Sequence, residues 1–417
     1  MKLKIKGKKK IQGKVKISGS KNSALAIIAA AILSDDEVTI RNIPEIDDVL
    51  TQISILDEHG YITYFNDNIL KIKPQKKINH DFTQDSLKKL RGSYYFIGAL
   101  LSKQKKIKIA SFGGCDLGKR PINYHFDAFE KLNIKIKERK NYTILKTNKI
   151  IGNKITLPFP SVGATINIIL ASVKAKGMTI IENAALEPEV SDLGNFLISM
   201  GAKIEGLSTK TITITGVNSL HGTDYIISSD RIEAGTYLIL GALSKGEGLT
   251  LENLQPLHLK SLIETLRKAG AIINCGDNSI FIKGNTPLKP IEIETGPYPL
   301  FPTDLAPIIS VLFTQIEGTS SIKETVFPNR FSHVSELKKT GAIINNEATT
   351  LYINGKSKLK SSLLISYDLR QAASLLICAA ISQGTSTIEN IEFLFRGYEK
   401  PIEKLQKLGF TLSLINE

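Results

Sequence analysis

The run Asp230-Arg-Ile-Glu-Ala-Gly-Thr-Tyr-Leu-Ile-Leu-Gly-Ala-Leu243, with Leu249-Thr-Leu251 and Leu266-Arg-Lys-Ala-Gly270 after it, holds one structural unit in order. Its first part reads as a small-residue apolar helix. Leu249 to Leu251 alternates as a short strand, and the stretch up to Gly270 reads as an amphipathic helix whose terminal glycine suits the left-handed C-terminal position.

The same order recurs along the chain. Helix-like runs begin near Lys21, Arg91, Ser161, Asp230, Asp304 and Asp368, at separations of about 64 to 74 residues, the mark of an internal repeat. Small-residue helices are expected at 24–33, 164–174, 235–243, 305–313 and 372–381. Short strands follow them, as at Val38-Thr-Ile40, Met178-Thr-Ile-Ile181, Ser321-Ile-Lys323 and Ser386-Thr-Ile388. Second helices then end at Gly201, Gly341 and Gly409. Two more strands close a unit, for instance Thr211-Ile-Thr-Ile-Thr215 and Asp224-Tyr-Ile-Ile-Ser228. The last unit stops after Phe410-Thr-Leu-Ser-Leu414, short of its final strands, while residues 1–20 read strand, turn, strand ahead of any helix. The N-terminal segment is therefore expected to complete the sixth unit. That places residues 1–20 with 230–417 in one domain and residues 21–229 in the other, three units each, against the alternative of a linear split.

Composition agrees with two soluble domains. A chain of 417 residues is long for one core, and 42% hydrophobic with 23% charged residues describes a globular protein. The apolar run 24–33 is about half a membrane span and passes straight into Ser34-Asp-Asp-Glu37, so neither a membrane helix nor a signal peptide is expected. Three cysteines without an export signal predict no disulfide framework and a reducing cytoplasm. The net charge of +14 is spread over lysines at strand edges and loops, as at 103–108 and 356–360, and tryptophan is absent. This pattern lacks the basic stripe of a nucleic-acid binder and points to an anionic small substrate. Arginine is rarer than lysine here and more telling, because its planar fork grips carboxylate or phosphate in a way an ammonium cannot.

One stretch carries the chemistry: Ser111-Phe-Gly-Gly-Cys-Asp-Leu-Gly-Lys-Arg-Pro121. Three glycines free the backbone, and Lys119 and Arg120 favour ionisation of the Cys115 thiol, while Asp116 opposes it. Cys378 sits in the apolar run Ala372-Ala-Ser-Leu-Leu-Ile-Cys-Ala-Ala380 and Cys275 at a Gly-Asp-Asn turn; neither is assigned a role. No His, Cys and carboxylate cluster has metal-ligand spacing, and no phosphate-binding loop or dinucleotide fingerprint is present, so no metal and no cofactor are expected.

Six βαβαββ-like units in two pseudo-threefold domains resemble the enolpyruvyl transferases. The motifs Ser18-Gly-Ser-Lys-Asn22, Gly113-Gly-Cys-Asp-Leu-Gly-Lys-Arg-Pro121, Pro160-Ser-Val-Gly-Ala-Thr165, Asp230-Arg-Ile-Glu-Ala-Gly235, Phe301-Pro-Thr-Asp304, Asn329-Arg-Phe331, Asp368-Leu-Arg370 and Arg396-Gly-Tyr398 run through the whole chain. In that order they resemble the UDP-N-acetylglucosamine 1-carboxyvinyltransferases, relatives of EPSP synthase. The resemblance implies an α/β fold of the inside-out α/β barrel type, with the active site in the interdomain cleft. It also implies transfer of enolpyruvate from phosphoenolpyruvate to the 3-hydroxyl of UDP-N-acetylglucosamine with release of phosphate, the committed step toward peptidoglycan.

By the same resemblance, Cys115 is the acid that protonates C3 of phosphoenolpyruvate and Asp304 the base that activates the sugar hydroxyl. Lys21, Arg120, Arg370 and Arg396 match positions that grip phosphoenolpyruvate, with Arg91 and Asn22 beside them. Any one of these alone reads better as a surface or interdomain ion pair, but four of them near unit starts or loops point to the anion grip. Ser161, Val162 and Gly163 match a nucleotide contact, although Ser161 is also a plain helix N-cap. Arg120, Pro121, Ile122, Asn123, Tyr124 and His125, with Val326 through its backbone, resemble further uridine and sugar contacts; Arg330 and Asp368 complete the matched set. Phe159-Pro160 departs from relatives that carry a lysine there. Three rivals remain: the sister transferase acting on shikimate 3-phosphate, a catalytically silent paralogue, and a nucleic-acid end-processing enzyme. The cysteine loop argues against the first, and Cys115 together with Asp304 against the second.

Overall fold

The computed structural model describes residues 1–7, 10–75, 94–110, 122–140, 142–284 and 287–415, with the backbone of 81–82. The chain divides into two compact units, Met1–Ser18 with Ser229–Glu417, and Gly19–Ser228. Each has its own hydrophobic core. No helix among the described residues is long and apolar enough to cross a membrane.

Both cores are built around the small-residue helices. Every residue from Ser23 to the end of helix Lys21–Ala31 is buried, and so is nearly all of Val162–Ser172 and Arg231–Ala242. A helix apolar on all sides belongs in the interior. Within Gly19–Ser228 the helices Lys21–Ala31, Tyr95–Lys103 and Val162–Ser172 pack in series. In the other unit Arg231–Ala242, Ala306–Phe313 and Leu369–Ile381 do the same. Close approach depends on small side chains: a Cβ at Gly98 would fall 2.4 Å from the Asn167 carbonyl oxygen of the facing helix.

Sheets flank these helices, and one pattern serves all of them. Six four-stranded sheets are described. In each, an edge strand lies parallel to the strand that follows the apolar helix, and the last two strands of the unit add antiparallel. Lys154–Thr156, Met178–Glu182, Thr211–Thr215 and Lys203–Glu205 illustrate the order. Burial alternates along them, as in Thr211–Thr215, because one face covers helices and the other meets water. The second helices end as expected, with Gly201, Gly270, Gly341 and Gly409 at φ of 97°, 102°, 95° and 79°.

Two strand assignments need correction. Asp224–Ile226 does not close the third unit; it lies parallel to Val38–Arg41 as the edge strand of the first. Likewise the N-terminal segment does not serve the sixth unit alone. Lys2–Lys6 enters that sheet between Thr385–Glu389 and Thr411–Ile415, but Gln12–Lys16 pairs with Gly248–Glu252 in the fourth. The reason is one of framing: the unit starts with the strand before its apolar helix, since a parallel pair needs that helix as its crossover. Asp304 also lies in a 3-10 turn, Thr303–Leu305, just ahead of the helix at Ala306.

A further repeat escaped the sequence reading. Asn42, Asn183, Asn253 and Asn390 each follow the strand after an apolar helix with φ of 62°, 55°, 62° and 55°. Each donates from Nδ2 to a carbonyl at the end of the parallel edge strand, namely Ile227, Leu157, Ile17 and Ser366, at 2.7 to 3.2 Å. Asparagine tolerates this left-handed backbone and locks the strand pair from its end.

Because Leu3 is fully buried in a strand paired on both sides while Leu414 is 40% exposed, their truncations should differ sharply. Leu3→Ala is expected to destabilise its unit by about 2 to 5 kcal/mol and Leu414→Ala by about 0.5 kcal/mol or less. Urea unfolding of the two variants checks this; equal losses would contradict a structural role for the N-terminal strand.

Candidate active site

In the unit Met1–Ser18 with Ser229–Glu417, three helix starts carry the matched residues. Asp230 and Asp368 are N-caps: Asp230 accepts from the N–H groups of Ile232 and Glu233, and Asp368 from those of Arg370 and Gln371. Capping by Asp368 fixes the first turn of Leu369–Ile381, and Arg370 extends from that turn to Asp304. A Cβ at Gly397 would fall 2.5 Å from Leu369 Cδ2, so the turn that carries Arg396 presses on the same helix start.

Asp304 lies between two guanidinium groups. Arg330 Nη2 donates to Oδ1 at 3.0 Å and Arg370 Nη2 to Oδ2 at 2.6 Å. Burial opposes the charge on Arg370, but Asp304, with Tyr398 and Asp230 contributing, outweighs it and raises the arginine pKa above its ordinary value. Arg330 is almost fully buried, lies over the Phe327 ring at 4.8 Å, and donates from Nε to the Thr303 hydroxyl at 3.0 Å. The Thr303 hydroxyl donates in turn to Glu324 Oε2 at 2.9 Å, and the other Glu324 oxygen accepts from the N–H groups of Val326 and Phe327. Glu324 occupies the place that asparagine holds in four other units, so the repeat is broken next to Asp304. Neither Thr303 nor Glu324 was singled out from sequence; the missing asparagine was the available signal. Val326 has its N–H committed to Glu324.

In the unit Gly19–Ser228 the matched residues also begin at a helix start. Ser20 caps Lys21–Ala31, its hydroxyl accepting from Ser23 N–H at 3.2 Å. Lys21 Nζ meets Asp48 Oδ2 at 2.6 Å with both side chains largely buried, and Asn22 Nδ2 donates to Glu189 Oε1 at 2.9 Å. Asp48 and Glu189 sit in first helical turns, where a carboxylate is favoured by the helix dipole. Neither helix start was read from the sequence, where the second helices were recognised by their terminal glycines, and nothing local marked these partners.

Of the nucleotide candidates, Ser161 caps Val162–Ser172 and places Val162 and Gly163 in its first turn. The helix Asn123–Lys131, with Ile122 at its N-cap, carries Tyr124 and His125. His125 comes against Gly163, where an added Cβ would lie 3.2 Å from Cε1 and Nε2 of the ring. Tyr94 lies beside His125, ring centroids 6.1 Å apart, and Asn123 is exposed. Cys115, Arg91, Arg120 and Pro121 lie outside the described residues. Cys378 is buried, and its thiol is pushed up to about 11 by desolvation, while Cys275 is exposed.

A carboxylate poised between two arginines suits proton transfer next to a bound anion. The chain belongs to the EPSP synthase (3-phosphoshikimate 1-carboxyvinyltransferase) family, whose pattern matches residues 5–405. It is 42% identical over 412 residues to UDP-N-acetylglucosamine 1-carboxyvinyltransferase 2 of Listeria monocytogenes serotype 4b, covering 99% of this chain and 97% of that one. The protein of the same name from Bacillus cereus is also 42% identical, with 99% and 96% covered. Among solved structures, the enolpyruvyl transferase NikO from Streptomyces tendae superposes with a TM-score of 0.89 at 24% identity, covering 99% and 98%. EPSP synthase from Acinetobacter baumannii gives 0.77 at 19% identity, covering 100% of both chains. These two structural likenesses bear on the fold alone.

His333, two residues past Phe331, is buried with Nε2 at 2.9 Å from the Ser310 hydroxyl; desolvation lowers its pKa from 6.5 to about 3. The folded form stays neutral where the unfolded chain binds a proton, so stability is present above pH 6.5 and falls as pH drops from 6.5 toward about 3. At about 1.4 kcal/mol per pH unit, His333→Gln is expected to lose roughly 2 kcal/mol less than the parent between pH 7 and pH 5. Parallel losses in urea titrations would contradict the assignment.

Proposed function

We propose that this protein transfers the enolpyruvyl group of phosphoenolpyruvate to the 3-hydroxyl of UDP-N-acetylglucosamine, releasing phosphate in the first committed step of peptidoglycan synthesis in the cytoplasm. The observation that carries the reading is the end-to-end match, at 42% identity, to relatives named for that activity. The arginine-held carboxylate of Asp304 supports it.

Cys115 adds a proton to C3 of phosphoenolpyruvate while Asp304 takes the proton of the sugar hydroxyl, whose oxygen forms a bond to C2. The adduct then loses phosphate by cleavage of its C2–O bond, and a proton leaves C3 to restore the double bond. Lys21, Arg120, Arg370 and Arg396 grip the carboxylate and phosphate, with Asn22 and Arg91 beside them. Before substrate arrives, Asp304 and Asp48 serve as counter-ions to Arg370 and Lys21. Phosphoenolpyruvate gives Arg370 a second anion, which loosens one Asp304 oxygen for the hydroxyl proton. Arg330 holds Asp304 from behind, and Asp368 aims Arg370 by capping its helix. Ser161, Val162, Gly163, Pro121, Ile122, Asn123, Tyr124 and His125 meet the nucleotide, and Val326 the sugar through its backbone. The finer architecture that goes with this reading is the inside-out α/β barrel, three apolar helices within three sheets in each unit.

Phosphate release is expected only when phosphoenolpyruvate and UDP-N-acetylglucosamine are both present. Equal turnover with shikimate 3-phosphate, or none with either acceptor, would sink the reading. Asp304→Ala is expected to lower kcat by about 10²- to 10⁴-fold, whereas Lys21→Ala should also raise the KM for phosphoenolpyruvate. Near-normal kcat in Asp304→Ala would show that another base operates.

A further inference from the structure

We propose that Asn167 is a positioning residue for nucleotide binding: it fixes His125 in the tautomer that carries its proton on Nε2, the nitrogen beside Gly163. This rests on the nucleotide reading of that segment given above.

The argument starts from a fully buried amide with no freedom to flip. Asn167 Oδ1 accepts the backbone N–H of Gly98 at 2.8 Å. A backbone N–H only donates, so the atom facing it is the amide oxygen and the opposite atom is the NH₂. That NH₂ stands 3.1 Å from His125 Nδ1. It too only donates, so Nδ1 must accept with its lone pair, and in the neutral ring the proton is left to Nε2. The Gly98 contact holds the amide from behind: a Cβ there would strike Oδ1 at 2.9 Å, so only glycine lets the two helices meet at this point.

The geometry on the other side of the ring gives the tautomer its use. Cε1 and Nε2 lie over Gly163, in the first turn of a helix capped by Ser161. The start of a helix leaves N–H groups without helical acceptors and favours oxygen anions. With its proton on Nε2, the ring brings a side-chain donor close to those backbone donors, whereas an Nε2 lone pair there would repel phosphate or carbonyl oxygen. Asn167 thus sets the sign of the contact without touching the ligand.

Nitrogen-15 NMR on histidine-labelled protein tests this directly, with His125 assigned by its absence in His125→Gln. The unliganded parent is expected to show an unprotonated Nδ1 and a protonated Nε2; the reverse overturns the proposal, with no variant needed. Asn167→Asp keeps an acceptor for Gly98 but presents a second acceptor to Nδ1, so at a pH where the spectrum shows a neutral ring the proton should move to Nδ1. UDP, measured by calorimetry at that pH, should then bind about five- to tenfold more weakly. KM for UDP-N-acetylglucosamine should rise by the same factor, with KM for phosphoenolpyruvate and kcat within about twofold. A switched tautomer with unchanged UDP affinity overturns the proposal. Failure of the parent to bind UDP overturns the nucleotide reading and the ligand half of this proposal with it, while the parent spectrum still decides the tautomer.

Discussion

A strand with neighbours on both sides cannot be lost without leaving two rows of backbone N–H and C=O groups unpaired, and Lys2–Lys6 is such a strand. Its unit is complete only when the first residues of the chain return to the last ones. Gln12–Lys16 then pairs with Gly248–Glu252, so two of that unit's three sheets depend on the same short segment. Where the chain leaves the unit, Ser18 is held by buried groups. Its N–H donates to Glu233, and Lys404 reaches both the Ser18 hydroxyl and the Glu233 carboxylate. Glu233 is buried, and desolvation raises its pKa against the pull of Lys404. Breaking such a pair on one side leaves an uncompensated buried charge. In the other unit Asp192 plays a similar part, accepting from Ser228 N–H, the Ser228 hydroxyl and the Tyr225 hydroxyl. Both anchored serines lie next to the helix starts that carry Lys21 and Asp230.

The cations of the candidate site are paired as well. An arginine as buried as Arg330 needs a counter-charge, and Asp304 supplies it while staying partly open to solvent. Lys21 is compensated in the same way by Asp48. On the proposed reading, an anionic substrate enters by exchange of partners with Asp304 and Asp48. This is a cheaper route than building a cluster of unpaired cations, and in the proposed mechanism it links anion binding to release of the Asp304 carboxylate.

The sequence made the repeat legible because its strongest signals are local: helices apolar all round, and glycines in the left-handed position after amphipathic ones. Strand partners were less legible. Asp224–Ile226 and Gln12–Lys16 read as strands, yet nothing within them says which helix covers the parallel pair, and both joined sheets begun elsewhere in the chain. The matched residues at helix starts were readable for the same local reason, as with Ser161 and Asp368 at N-caps. Their partners were not. Asp48, Glu189, Thr303 and Glu324 meet partners 21 to 167 residues away in sequence, and only the break in the asparagine repeat at Glu324 left a trace. Cys115, the most informative residue in the sequence, lies outside the described residues.

The proposed chemistry is an addition to, and an elimination from, the double bond of phosphoenolpyruvate. Carrying out the reaction in D₂O and analysing the product by mass spectrometry and proton NMR tests it most directly. Protonation at C3 makes a methyl group, and its rotation before one of the three hydrogens is lost leaves solvent deuterium in the vinyl methylene of part of the product. Product formed at the normal rate with no deuterium at that carbon would contradict the mechanism.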